Sequence, residues 1–255
     1  MRSAPRLQQA AFLLGIVLAW ELLARFGPWS PWLFPPPSHV AVTGLALVRD
    51  GRLVAAAAKS LGRLAQGYLL SAAIGVPLGV MLARSAFVQH AMRPVVLGLQ
   101  ALPSICWLPL AILWFGLSEL SVVFVVVMGS VLAIAIATED GIQTIDPVLL
   151  RAAGTLGIRG ARFHLGVLLP AALPEILTGL KLGWSFAWRA LLAGELLFAS
   201  GGLGQLLAAG REILDASQVM AVMVSIILIG VAVDRVLFRL LEVRVRRRWG
   251  LQEAM

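Results

Sequence analysis

Long apolar runs, each closed by a short polar or glycine-rich break, leave this chain few ways to fold. They cover 10–23, 53–83, 94–115, 121–137, 176–199 and 218–241. An apolar helix of about 20 residues crosses the hydrocarbon core of a bilayer. The first run is shorter, and Glu21 and Arg25 stand where a cleaved leader needs small residues, so it reads as a retained anchor. The fourth run is rich in valine and isoleucine, but its length favours a helix over a buried strand. Only 13% of the 255 residues are charged and 60% are hydrophobic, where soluble domains carry about 25% charge. The expected class is therefore all-α: a polytopic membrane protein with six transmembrane helices and the lipid bilayer as a partner.

The formal charge of +8 sits mostly at the ends of apolar runs. No nucleic-acid motif accompanies it, and no nucleic-acid partner is expected. With six spans and a cytoplasmic amino terminus, Arg2, Arg6, Arg84, Arg93, Arg151, Arg159, Arg162, Arg244, Arg246, Arg247 and Arg248 fall inside. Arg25, Arg49, Arg52, Lys59, Arg63 and Arg211 fall outside. That bias obeys the positive-inside rule and places both termini and the stretch 146–174 in the cytoplasm.

Between the first two runs, Trp29 and Trp32 suit a membrane interface, and Pro35, Pro36 and Pro37 favour an extended arm. Ser38 is expected to cap a short helix through Val48, with Val42, Leu45 and Val48 on its apolar face and Gly51 ending it. Lys59 and Arg63 share a helix face; either they snorkel to the interface or they form an electropositive mouth. The residues 85–93 read as a loop, and His90 in it lacks the neighbours a metal site needs.

The third run holds Gln100, Pro103, Ser104, Trp107 and Pro109. Such broken geometry either lines a cavity or is a kink for packing. In the fifth run Lys181, Trp184 and Trp188 share a face, while Arg189 and Glu195 lie roughly 120° apart around a helix. Charges at this depth face a bundle interior or a wet cavity; cavity lining and structural ion pairing both remain open for them. The glycines at 201, 202 and 204 lack the Lys-Ser/Thr of a phosphate loop. Cys106 is the only cysteine, so no internal disulfide forms. No catalytic constellation or nucleotide signature is present, and no enzymatic chemistry or cofactor is expected on this chain.

The stretch 146–174 differs from all of this. Asp146 is placed to cap a helix and Pro147 fits its first position. A short helix over 148–156 ends at Gly157, and the basic residues 158–164 begin another. Pro170 and Pro174 are expected to separate the pair from the next span. Two ordered helices between spans suit a docking surface better than a plain connection.

The same stretch carries a resemblance. Arg151, Ala152, Ala153, Gly157, Val167, Leu169 and Pro170 match the spacing of the Glu-Ala-Ala pattern of permease subunits of ATP-driven (ABC) importers, with arginine in place of the glutamate. The segment from Ser60 to Gly79, the Leu-Pro pairs flanking Trp107, Ala187-Trp188 and Gly202-Leu203-Gly204 resemble the nitrate, sulfonate and taurine branch. The resemblance, which runs from Pro35 to about Arg244, implies a type I importer permease fold (MetI-like). It implies one permease domain over 1–255, a core bundle at 53–244 and coupling helices at 146–170, in a bacterial inner membrane. It further implies a second copy of the chain, two cytoplasmic ATPase subunits that bind ATP and magnesium, and a periplasmic or lipid-anchored solute-binding protein. ATPase coupling falls to Asp146, Arg151, Ala152, Ala153, Gly157, Leu169 and Pro170. The candidates for the translocation path are Gln100, Ser104, Trp107, Trp184, Trp188, Arg189 and Glu195. A channel or secondary transporter working alone predicts transport without an ATPase and no need for the helix pair at 146–170; a non-transport membrane scaffold is the other alternative.

Overall fold

The valine-rich run is the middle of a longer helix around which much of the chain packs. The computed structural model describes residues 4–197 and 201–248, and every element in them is helical. The order is α1 (Ala4–Phe26), α2 (Pro37–Arg49), α3 (Arg52–Arg84), α4 (Ala86–Gln100), a 3-10 turn (Ser104–Trp107), α5 (Leu108–Phe115), α6 (Glu119–Gln143), α7 (Pro147–Thr155) and α8 (Gly160–Phe163). A π-helical turn (His164–Leu168), α9 (Leu169–Leu197), α10 (Leu203–Glu212), α11 (Ala216–Val233), a second π turn (Asp234–Phe238) and α12 (Arg239–Arg248) follow. Arg2, the far end of the 176–199 run and Trp249 lie outside the described residues.

Two compact units divide the chain, one of residues 1–59 and 201–229, the other of 60–200 and 230–255. In the second unit α6 is buried along most of its length, with Val122, Val125, Val126 and Ile134 fully shielded. Small residues allow this. Gly67, Ser71, Gly75 and Gly79 recur every fourth residue on α3. A Cβ at Gly75 would stand 2.8 Å from the Val131 carbonyl oxygen, and one at Gly79 2.4 Å from that of Ala135. On the other flank, a Cβ at Gly183 of α9 would stand 2.5 Å from Ile134. Backbones therefore meet where bulky side chains would hold them apart, the usual solution in a membrane bundle. Ser130 Oγ donates to Ser71 Oγ at 2.7 Å across the α3–α6 seam, so a buried hydroxyl is satisfied there.

In the first unit α1 and α2 are tied by Glu21, which accepts from Ser38 N (3.1 Å) and Ser38 Oγ (2.9 Å). Ser38 therefore does not cap α2; Pro36 precedes the helix and Pro37 starts it. The face of Val42, Leu45 and Val48 is exposed, while Val40 and Leu47 are buried. In α10–α11, Gln218 Nε2 donates to the Leu206 carbonyl at 3.0 Å.

Four helical stretches among the described residues are long and apolar enough to cross a membrane: Arg52–Arg84, Glu119–Gln143, His164–Leu197 and Ala216–Val245. A fifth is formed if Ala86–Gln100 and Ser104–Phe115, bent by 96°, count as one broken span. Two further expectations need correction. The stretch 85–93 is not a loop: Ser85 accepts from Val88 N and opens α4 there. Pro170 and Pro174 do not end the helical run; both lie inside α9. The Leu169 amide bonds the His164 carbonyl, a widened turn that makes room for the Pro170 ring where a regular α-turn would clash.

Candidate functional site

A cavity of about 260 Å³ opens at the broken span. Residues 101–103 separate α4 from the 3-10 turn, and Pro103 precedes that turn. From this break come Gln100, Pro103 and Ser104; α6 contributes Met128 and Gly129, and α9 contributes Phe186 and Arg189. A Cβ on Gly129 would stand 2.8 Å from Ala190 Cβ and 3.1 Å from Ser104 Cβ, so glycine lets the three elements converge.

Arg189 carries the charge of this cavity. Its Nε donates to the Ser185 carbonyl at 3.0 Å, and its guanidinium carbon lies 4.9 Å from the Phe186 ring centroid. No carboxylate among the described residues pairs with it. Gln100 Oε1 is buried against the same cavity without a hydrogen-bond partner among the described residues. The Arg189 guanidinium, with no carboxylate partner among the described residues, can hold a small anion weakly, the requirement for a site that must also release.

The structure thus brings Gln100, Ser104 and Arg189 together and sends the other path candidates elsewhere. Trp184 meets Tyr68 edge-on with centroids 5.3 Å apart and packs against Phe238. Trp188 lies beside Gly230, its Nε1 3.4 Å from where a Cβ would stand. Trp107 packs against the cluster of Leu108, Ala111, Val125 and Ala190. The rings of Trp184 and Trp188 fill interhelical space because α9 presents them on a face turned away from Arg189. Glu195 is 1% exposed; it accepts from Arg63 Nη1 (2.7 Å) and from Ser60 Oγ (2.8 Å to each oxygen). Arg63 also forks onto Glu119 through Nε and Nη2. It is 3% exposed, so it neither snorkels nor forms an open mouth. Sequence spacing could not pair residues so far apart. Lys181 reaches Asp234 and Glu242 at 3.4 Å.

A second buried carboxylate escaped the sequence reading. Glu139, near the end of α6, is fully shielded and accepts from Gln89 Nε2 (2.8 Å) and Arg93 Nη1 (3.1 Å). The adjacent pair Glu139-Asp140 was its only sequence signal, and Arg93 also binds Asp140.

The helix α7 is closed at both ends. Asp146 Oδ1 accepts from Val148 N at 2.7 Å. At the other end Ile158 N bonds the Ala153 carbonyl and Gly157 N bonds that of Gly154, with Gly157 at φ 72°. This is a Schellman closure, which glycine at that position permits. Leu150 packs on the cluster of Ile142, Ile145, Leu168, Ala172 and Ile176, with Leu169 also against it. Ala153 is buried, whereas Val148, Leu149, Arg151, Ala152 and Leu156 are exposed. Pro170 lies half-buried in the first turn of α9. A short, doubly capped helix thus holds an exposed apolar set and a cation on a firm base.

A multi-span helical bundle with a broken helix at a charged cavity, and a rigid helix displayed between spans, defines a membrane transport component. Residues 75–248 match the family described as binding-protein-dependent transport system inner membrane component, and the chain belongs to that family. It is the membrane permease subunit of an ABC importer. It is 33% identical to a putative ABC transporter permease of Methanocaldococcus jannaschii over 86% of this chain and 84% of that one. It is 30% identical to the taurine transport system permease protein TauC of Escherichia coli strain K12, over 91% of this chain and 83% of the relative. A putative aliphatic sulfonates transport permease, SsuC of Bacillus subtilis strain 168, is also 30% identical, over 89% of this chain and 82% of its own. Among solved structures, the fold is shared with a chain of the inward-facing MetNI methionine ABC transporter: TM-score 0.67, 21% identity, 77% of this chain and 95% of that one.

Proposed function

We propose that this permease carries a small anion, of the aliphatic sulfonate, taurine or nitrate kind, along a path that includes Gln100, Ser104 and Arg189. The observation that carries the reading is the Arg189 guanidinium, without a carboxylate partner among the described residues, at the cavity beside the broken span. The names of the taurine and aliphatic sulfonate relatives agree with a positive site. Six spans, with α1 and the bent pair each counted once, put both termini and 146–174 in the cytoplasm by the positive-inside bias. Two copies of the chain form the path. Two cytoplasmic ATPase subunits, which bind ATP and magnesium, seat on α7, and a periplasmic or lipid-anchored receptor delivers the solute. Asp146 and Gly157 fix the helix, Arg151 and Ala152 face the ATPase, and Ala153 joins the helix to its base. Leu169 and Pro170 pass the movement into α9.

Reconstitution of the permease with its ATPase and receptor in proteoliposomes tests this. ATP-dependent uptake of an anion of this class, absent when the ATPase is left out, is the expected result. Equal uptake without ATPase overturns the importer assembly. ATP-driven uptake confined to solutes that carry no anionic group overturns the anion assignment alone.

A further inference from the structure

Away from the Arg189 cavity, an open groove of about 520 Å³ runs along the end of α3 nearest α7. Val76, Pro77, Val80, Met81 and Arg84 line it from α3, and Leu169 closes it from the start of α9. On α3 these positions form one stripe, about 12 Å long at 1.5 Å per residue. Half the hydrocarbon core of a bilayer is about 15 Å thick. The stripe is apolar until its last member, which is a cation. Arg84 is exposed and pairs with no carboxylate among the described residues, whereas Arg93 nearby is taken by Glu139 and Asp140. An apolar strip of one leaflet's depth with a free cation at its headgroup end is complementary to an anionic lipid in both length and charge.

We propose that this groove holds one anionic phospholipid, its phosphate on Arg84 and an acyl chain along Val76, Pro77, Val80 and Met81. The position gives the lipid a role. Val76 and Val80 pack in the same cluster as Leu150 of α7 and Leu169, so an acyl chain here supports the base on which α7 stands. The inference rests on the chain's membrane placement and not on the solute path.

The test uses the complete permease in lipid nanodiscs with photoactivatable phosphatidylglycerol or phosphatidylcholine, labelled in the acyl chain, and maps the labelled peptides. Phosphatidylglycerol is expected to label the peptide covering 76–88 about fivefold more than phosphatidylcholine, from one cation near the surface. Arg84→Gln should reduce that labelling to the phosphatidylcholine level, and Arg84→Lys should retain it. Equal labelling by both lipids, or no change in Arg84→Gln, overturns the proposal. Disulfide formation between two copies of a Met81→Cys variant in place of labelling also overturns it, by assigning the groove to the dimer.

Discussion

Arg63 and Glu195, 132 residues apart, meet at 2.7 Å with side chains 3% and 0% exposed. The same guanidinium reaches Glu119, whose side chain is 52% exposed. The two carboxylates therefore carry different weights. Breaking a buried pair by removing one partner costs about 3–5 kcal/mol, whereas an exposed partner is worth about 0–1 kcal/mol. Thermal unfolding in detergent should show Arg63→Gln strongly destabilised and Glu119→Gln nearly unchanged. A melting temperature in Arg63→Gln equal to that of the parent would remove the pair from the stability of the bundle.

The close approach of α6 to its neighbours predicts a contrast between glycines. Gly183→Leu drives a side chain into Ile134, which already stands 2.5 Å from the site of a Cβ. Overpacking of this kind costs about 1–3 kcal/mol. Gly98, inside α4, has nothing within 4 Å of that site, so Gly98→Ala should be neutral or gain up to about 1 kcal/mol from helix propensity. Melting curves of the two variants, compared with the parent, check the order; Gly98→Ala melting as low as Gly183→Leu contradicts it.

What was legible in the sequence was local. Hydropathy located four of the six expected spans and the bent fifth, and Asp146, Pro147 and Gly157 marked both ends of α7 because capping is decided by neighbouring residues. The broken span was announced by the density of breakers at Pro103, Ser104 and Pro109, whereas single prolines such as Pro77 and Pro94 sit inside α3 and α4. What was not legible depends on distant partners or on a helix's rotation. Arg63 looked like an interfacial cation because nothing nearby marks Glu195 as its partner. The contacts of Trp184 with Tyr68 and Phe238 and of Trp188 with Gly230 had no sequence signal, because depth and aromaticity do not reveal which face meets another helix. Pro170 looked like a terminator, and the π turn that accommodates it has no sequence signature.

The Schellman closure of α7 predicts a coupling defect. Gly157 sits at φ 72° with open space around it, so Gly157→Val meets backbone strain and not a clash. A β-branched residue is poorly tolerated there, and the helix end should loosen. Membrane insertion should be unchanged while solute-stimulated ATP hydrolysis by the assembled complex falls to its basal rate. Full stimulation in Gly157→Val shows that the ordered end of α7 is not needed for coupling.

Arg151 stands on the exposed side of α7, its Nε donating to the Pro147 carbonyl at 3.3 Å. If it faces a carboxylate or a helix carboxyl end on the ATPase, Arg151→Glu replaces attraction by repulsion. Binding of the ATPase should weaken at low salt, and the deficit should shrink as salt screens the pair. Titrations at 50 mM and 500 mM salt, roughly bracketing strong and weak screening, make the comparison. Equal affinity of variant and parent at both salts means that Arg151 faces water alone.

Arg189 offers the most direct test of the path. It is exposed to its cavity, lies over Phe186, and has no carboxylate partner among the described residues. Its removal therefore strips no buried acid of its counter-ion, in contrast to Arg63. Arg189→Gln should fold and assemble with the ATPase at the parent's yield, which size-exclusion chromatography verifies. Uptake of the anion should then fall about tenfold to a hundredfold, the worth of one hydrogen bond to a charged group at about 1.5–3 kcal/mol. Arg189→Lys should keep part of the activity, because it restores the charge without the planar fork. Gln100→Ala removes the unsatisfied amide without touching the cation, and a smaller loss of uptake is expected from it. An Arg189→Gln complex that assembles and imports at the parental rate would take the solute path away from this cavity.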